Sequence, residues 1–505
     1  MRRPGLALVA LLAFLAADFA SAQAPRLPPP LQPRGLVTHE AGVAPGYVLF
    51  GPTRGATTYL LDNDGRVVHA WQGRYSGGGG YLLPDGHLLR VGRDPAALGF
   101  RHGGVQGILQ KVAWDGTVIW EWKLSDAERV LHHDIEPLPN GNVLLLAWET
   151  KTREQVAAAG RLPAAIPEAG LHSEWILEIR PIPPDDAEIV WEWRVWDHLV
   201  QDVDPAKPGF GDPADHPGRL DLNALAARSS LGADELAQLQ ALGYVPEDAT
   251  PADLESDFLH VNAIDHHAGL DRIAISVPEL SEVWILDHST TTAEAKTDRG
   301  GRSGRGGEIL YRWGNPAAWG RGKASDRRIW FQHDVRWISE DAPERLTLFD
   351  NGRGRPGAPP FSAVLEIATP LAPDGSYARA PDAPFGPAEP AWSWKLPPSH
   401  FAPFVSGAER LADGNTLVCA GPDGLLVEVT AAGEIVWEFR NPFLAEMIPL
   451  ADGSPPQPDA DRIPFAVFRA TRIPPDHPGL AGRKLAPLAE QPAWDPAAQR
   501  AAHAE

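Results

Sequence analysis

The chain reads Val118-Ile119-Trp120-Glu121-Trp122 and, after a short polar break, His132-His133-Asp134-Ile135-Glu136-Pro137-Leu138-Pro139-Asn140-Gly141-Asn142. The first piece alternates aromatic and polar residues, the period of a strand with one packed face and one wet face. The second runs an apolar strand into a Pro/Asn-Gly turn, a hairpin signal. The turn recurs at Leu83-Pro84-Asp85-Gly86-His87 and Leu411-Ala412-Asp413-Gly414-Asn415. The aromatic strand recurs at Trp191-Glu192-Trp193, Tyr311-Arg312-Trp313, Trp392-Ser393-Trp394 and Trp437-Glu438-Phe439. One such unit is too small to bury its own core, so the repeats must share one around an axis.

Inner strands start near Gly78, His133, His260, His333, Ser406 and Phe468, and only a polar tail follows the last. Residues 46–50, 58–61 and 67–71 supply three strands that lack a first. Joining the two ends completes a sixth unit and removes the open edges that invite aggregation. The expected fold is all-β: a six-bladed β-propeller over residues 46–475, with four-stranded blades, closed by N-terminal strands joining the C-terminal strand. Outside it lie a signal peptide (1–22), a Pro-rich linker (23–45) and a polar tail (476–505). An insertion at 197–257 has an amphipathic stretch around 220–242 that reads as helix, either a lid over the channel or a surface decoration. The Gly-rich run 300–307 matches no phosphate-loop pattern and reads as a plain loop.

Lys and Arg number 45 against 66 Asp and Glu, a net charge of -21 in 505 residues, and no basic tract is present. That balance argues against nucleic acid or an anionic membrane as partner. Met1-Arg2-Arg3, the apolar run 6–19 and Ala20-Ser21-Ala22 have the order of an export signal, and the run is shorter than the ~20 residues that span a bilayer. The expected location is periplasmic or secreted. Cys419 is the single cysteine, so no internal disulfide can form and packing must hold the fold.

In a propeller the inner strands line the axis, so equivalent positions converge. Three of six such positions hold histidine (His133, His260, His333), although only 17 of 505 residues are histidine. Converging imidazoles can act as nucleophile and proton donor, hold a metal, or bind an anion. Local ligand pairs of the H-x-x-x-H kind are missing, so no metal and no other cofactor is assigned.

The runs His132-His133-Asp134-Ile135 through Asn142, Phe258-Leu259-His260-Val261-Asn262, Asp287-His288-Ser289-Thr290-Thr291, Leu310-Tyr311-Arg312-Trp313-Gly314-Asn315-Pro316 and Gln332-His333-Asp334 together resemble the bacterial arylsulfotransferase family, over about residues 46–472 and in the family's order. The resemblance implies an exported six-bladed propeller that moves a sulfuryl group from an aryl sulfate to a phenol without a nucleotide donor. It implies His333 as the transiently sulfated residue, with His133, His260 and Asn262 in support. The repeat alignment selects His133 over its neighbour His132, which stays a candidate substrate contact. The family's sulfate-binding arginine would fall where Ser276-Val277-Pro278 stands, and Pro278 carries neither charge nor donor. Arg469 and Arg336 are the candidates to supply that charge, although an odd offset from His333 points Arg336 to the opposite face of a regular strand.

The chemistry stands on its own terms. An aryl sulfate needs a neutral nucleophile, donors for its terminal oxygens and a proton for a phenolate whose conjugate acid has a pKa of about 10. Imidazole serves both roles near neutrality. The expected reaction is ping-pong: His333 attacks sulfur, His260 or protonated His133 delivers the proton, Asn262 orients an oxygen, and a second phenol takes the group. Trp330, Phe331, Trp337 and Phe401 read as aryl pocket or as blade packing. The competing readings are a non-catalytic propeller that binds an anionic or aromatic ligand, and a metal-dependent hydrolase. Donor, acceptor and oligomeric state, a homodimer among the options, stay open.

Overall fold

A computed structural model of the protein describes residues 34–77, 79–97, 99–226, 232–241, 245–443 and 465–491. The signal-peptide segment lies outside these residues, as do part of the linker and of the tail. Six four-stranded antiparallel blades form a ring. From inner to outer strand, blade one is Tyr81–Leu82, Leu88–Arg93, Gly107–Val112 and Val118–Lys123; blade two is Arg129–Pro137, Val143–Lys151, Leu171–Ile182 and Asp186–Arg194. Blade three is Ala263–His267, Arg272–Val277, Glu282–Asp287 and Tyr311–Trp313; blade four is His333–Trp337, Arg345–Asp350, Ala363–Ala368 and Trp392–Lys395. Blade five is Gly407–Arg410, Thr416–Ala420, Leu425–Val429 and Ile435–Arg440.

Blade six closes the ring with Val467–Ile473 innermost, then Tyr47–Pro52, Thr57–Leu61 and Val67–Gln72. Its two ends of chain register through Tyr47↔Ile473 and Phe50↔Ala470. The expected six-bladed architecture and its closure are therefore present. Residues read as linker include a further strand, Gly35–His39, which pairs on the outside of Ile435–Arg440. Central strands are buried on both faces, which is why they read as unbroken apolar runs: Leu144 through Trp148 are each at most 1% exposed.

The recurring outer-strand tryptophans latch each blade to the next. Indole Nε1 of Trp120 donates to Asp186 O (2.9 Å), Trp193 to Gly307 O (2.7 Å), Trp313 to Pro387 O (2.9 Å), Trp394 to Gly433 O (3.1 Å) and Trp437 to Asn63 O (2.8 Å). Each acceptor belongs to the connection between the third and fourth strands of the following blade. The closing blade solves the same problem differently. His69 Nε2 meets Trp114 O at 3.0 Å with the two rings stacked, and burial lowers its pKa to about 4, so the neutral ring donates. Trp71 packs edge-on against Trp114, and its Nε1 is buried without a hydrogen-bond partner.

A second ring of contacts joins the inner strands. Carboxylates on one blade accept backbone N–H groups from the next: Asp134 from Ile264 (3.1 Å), Asp265 from Trp337 (2.6 Å), Asp334 from Ala408 (2.8 Å) and Glu409 from Arg472 (2.8 Å). Arg469 of blade six ties the circuit shut, donating to Asp134 (2.8 Å) and Tyr81 (2.9 Å) and lying 2.8 Å from Asp334.

The insertion between blades two and three has two parts. Leu199–Val200 pairs in parallel with Leu220–Asp221, and Leu220 and Leu222 join the core of the neighbouring blades. Among the described residues of the expected 220–242 helix, Ala233–Ala241 is helical, whereas burial of the first leucines commits the start of the stretch to a strand. The second part packs Leu236, Leu239, Val245, Ala249 and Leu254 on Phe404, which precedes the inner strand of blade five. Asp248 and Asp253 reach Arg101 in blade one at 2.5 and 3.5 Å. The segment thus touches both the entry to blade five and a loop of blade one. The Gly-rich run is a loop, and Ser303 N in it donates to Asp287.

Replacing Trp437 with Phe orphans the Asn63 carbonyl, whereas Trp71→Phe removes a donor that has no acceptor. Urea unfolding should show Trp437→Phe to be the more destabilising by about 1 kcal/mol.

Candidate active site

The loops feeding the inner strands hold non-glycine residues in the left-handed region: His133 (φ 49°), His260 (57°), Phe331 (59°), Val405 (46°) and Ser406 (86°). A β-branched residue there is a true outlier, and such strain survives only where its surroundings enforce it. Space is reserved as well. A Cβ at Gly104 would come within 2.2 Å of the His133 ring, and the Gly104 carbonyl accepts the His133 N–H at 2.8 Å.

Rings from four blades meet at this end of the axis. His133 and His260 are 4.4 Å apart between centroids, edge to face. Phe468 of blade six lies 6.2 Å from His133 and 6.3 Å from His333, and Phe331 lies 6.4 Å from His260. All three histidines are at most 4% exposed.

Asn351, at the end of the second strand of blade four, sets the state of His333. Its Nδ2 donates to two backbone carbonyls, Ala402 O (2.8 Å) and Val405 O (2.9 Å), so its Oδ1 must be the atom 2.7 Å from His333 Nδ1. An amide oxygen only accepts, so Nδ1 carries the ring proton and Nε2 keeps the lone pair. That Nε2 is buried with no hydrogen-bond partner. Burial, opposed by the Asn351 bond, lowers the His333 pKa to about 3, so the ring is neutral under ordinary conditions.

The surroundings of His260 favour its charged form instead. Burial works against its proton, yet the Asp257 carboxylate bonded to Nδ1 outweighs it and the net shift is upward. His133 shifts the other way, driven down by burial and then by its neighbour His260. Its Nδ1 lies 3.0 Å from His132 Nδ1, and His132 stacks on Trp148 with Nε2 3.0 Å from Glu174. His102 and His172, 2.5 Å apart through their ring nitrogens, extend the cluster around Trp148.

The remaining sequence candidates fall as follows. Asn262 is fully buried and donates to Gln332 O at 3.0 Å, so it braces the backbone ahead of His333. Arg469 is held by Asp134 and Asp334, which with burial opposing raise its pKa. Arg336 donates to Asp334 at 2.8 Å. The strand register breaks between His333 and Arg336, so alternation counted from His333 does not carry through, and Arg336 sits in the axial charge cluster. Pro278 O accepts Ser281 N at 2.9 Å in a tight turn; the Arg327 guanidinium donates to the Ser281 hydroxyl.

Arg353, two residues beyond Asn351, lies over the Phe331 and Phe404 rings at 4.3 and 4.6 Å. Of the aromatic candidates, Phe331 belongs to the site, whereas Trp337 packs edge-on to His267 at the far end of the inner strands. Sequence reading missed Asn351, Asp257, Glu174, Arg353 and Phe468. Asp257 had a local signal, a carboxylate three residues before His260, and Phe468 a repeat signal, as the start of the sixth inner strand.

Asn351→Ala strips the Val405 carbonyl and the His333 N–H of their partners at about 1–3 kcal/mol each, while Ala402 O keeps the Ser362 hydroxyl. The expected result is a protein several kcal/mol less stable to urea, with the His333 tautomer no longer single by NMR of the imidazole nitrogens.

A family model described as arylsulfotransferase (ASST) matches residues 50–441. No curated protein matches the chain. Among solved structures, a protein of unknown function from Bacteroides caccae is 10% identical, with 79% of this chain and 94% of that one covered and a TM-score of 0.38. Virginiamycin B lyase from Staphylococcus aureus is 9% identical (81% and 86% covered, TM-score 0.33). The periplasmic gluconolactonase PpgL of Pseudomonas aeruginosa is 13% identical (78% and 82% covered, TM-score 0.31).

Proposed function

Because the chain belongs to the arylsulfotransferase family, we propose that it is an aryl-sulfate sulfotransferase in which His333 carries the sulfuryl group between a donor aryl sulfate and an acceptor phenol. The observation that carries this reading is the His333 ring itself: neutral, fixed by Asn351 through Nδ1, with a partnerless Nε2 beside a charged histidine.

The steps balance without a further reactant. His333 Nε2 attacks sulfur as the sulfur–oxygen bond to the aryl group breaks, and the departing phenolate takes the proton of His260. The acceptor phenol then gives its proton to the now neutral His260 and attacks the same sulfur, and the nitrogen–sulfur bond breaks to restore His333. Asp257 keeps His260 charged between turnovers. Phe331 and Phe468 flank the aryl ring. Arg353 holds the sulfuryl oxygens, which would answer the loss of the family arginine at Pro278. The pattern of residues 1–22 supports placing this reaction outside the cytoplasm, in the periplasm or the medium.

Purified protein mixed with 4-nitrophenyl sulfate should release nitrophenol only when a phenol is added, and intact mass during turnover should show one added SO3 group. His333→Ala should show neither. Release of nitrophenol without an acceptor, stopped by a chelator, would instead favour a metal-dependent hydrolase, and no release at all a binding propeller.

Protonation makes a second prediction. His333 is neutral above about pH 3, while His260 must be charged and its pKa is raised. Activity should therefore hold through neutral pH and fall only on the alkaline side. His260→Gln should remove that limb and cost about 10²–10⁴-fold with phenyl sulfate. The loss should be smaller with 4-nitrophenyl sulfate, whose leaving group needs less help from an acid.

A further inference from the structure

We propose that the seam between blades two and three, at the end of the ring away from the histidine channel, holds a divalent transition-metal ion, zinc foremost, bound by His266, Asp271 and His288. His266 follows His260 by six residues along the inner edge of blade three. At about 3.3 Å per residue this places it roughly 20 Å from the channel histidines. The site is independent of the sulfuryl-transfer reading.

Two imidazole nitrogens aim at one carboxylate oxygen. His266 Nε2 is 3.2 Å and His288 Nδ1 2.8 Å from Asp271 Oδ1. The ligand atoms of the three residues all lie within 4.8 Å of one another. Asp271 Oδ2 lies 3.6 Å from the exposed Arg302. Three ligand atoms this close together can share one ion set between them.

The supporting shell is also built. The outer nitrogen of His288, Nε2, is 3.0 Å from Glu178 of blade two. Glu178 is in turn fixed by the amides of Asn142 (2.5 Å) and Asn140 (3.3 Å). A carboxylate on the far nitrogen fixes the tautomer and raises the basicity of a metal-binding histidine. The backbones are tied as well: Asp271 N donates to His267 O at 2.8 Å and His288 N to Asp271 O at 3.0 Å. Asp271 holds φ 54° to present its side chain. Both histidine side chains are 8% exposed and that of Asp271 is 28% exposed, leaving one open side where water completes a tetrahedron. Two nitrogens, one carboxylate oxygen and one water suit zinc, and the neighbouring first-row ions in order of affinity. Bound there, the ion pins the first hairpin of blade three to the third-strand connection and to blade two.

The full-length protein, stripped with a chelator and dialysed against zinc chloride, should retain one zinc per chain by elemental analysis and melt at a higher temperature than the stripped form. Cobalt(II) in its place should show the visible absorption of a tetrahedral site. Asp271→Asn and His266→Gln should weaken retention at least tenfold, and Glu178→Gln about 10–100-fold, with sulfuryl transfer by the zinc-loaded variants unchanged. Wild-type protein that retains no stoichiometric zinc and gives no tetrahedral cobalt spectrum would overturn the proposal, leaving an ion-pair network. The cobalt spectrum needs no variant, so it decides even where a substitution prevents folding.

Discussion

Six inner strands cannot converge on one axis without leaving backbone N–H groups that no ladder can satisfy, and the protein meets this constraint with carboxylates. Asp134, Asp265, Asp334 and Glu409 each take an N–H from the following blade. Buried carboxylates are costly unless paired, and burial raises Asp265 to about 6 and pushes Glu136 and Glu409 upward. Arg469 and Arg336 offset that charge. Two of the four acids are the aspartates of His133-Asp134 and His333-Asp334, so the site and the closure of the ring share one motif: the aspartate joins neighbouring blades while the histidine before it faces its partners.

This arrangement explains how identical side chains acquire different roles. An amide beside His333 and burial favour a neutral ring, and a carboxylate beside His260 favours a charged one. Opposite shifts within one cluster are the pattern expected of a site that needs a base and an acid together. The insertion contributes Asp257, so the residue that favours a charged His260 comes from outside the blades.

The outer latch and the inner circuit act on different parts of the blades. Indole-to-carbonyl bonds hold the rim, carboxylate-to-amide bonds hold the axis, and the apolar layers between blades supply most of the stability. Rim contacts touch nothing in the channel. The rim can therefore vary, as His69 in place of a tryptophan donor shows, while the axial residues are bound by both closure and chemistry.

Much of this was legible in the chain. Strand periodicity, Asp/Asn-Gly turns and unpaired segments at the two ends gave blade number and closure, because these depend on residues within one repeat. The positions of His133, His260 and His333 followed from the same repeat. Residue alternation alone could not place Arg336, since a break in register resets it, nor reveal that Arg469 is already held by two aspartates. Asn351, Glu174 and Arg353 carry no pattern of their own; each matters through a partner from another part of the chain. Local sequence thus determined that six blades form and which histidines face the axis. Only the closed ring decided which of them is neutral, which is charged and which nitrogen is free, because those states are set by groups that folding alone brings into contact.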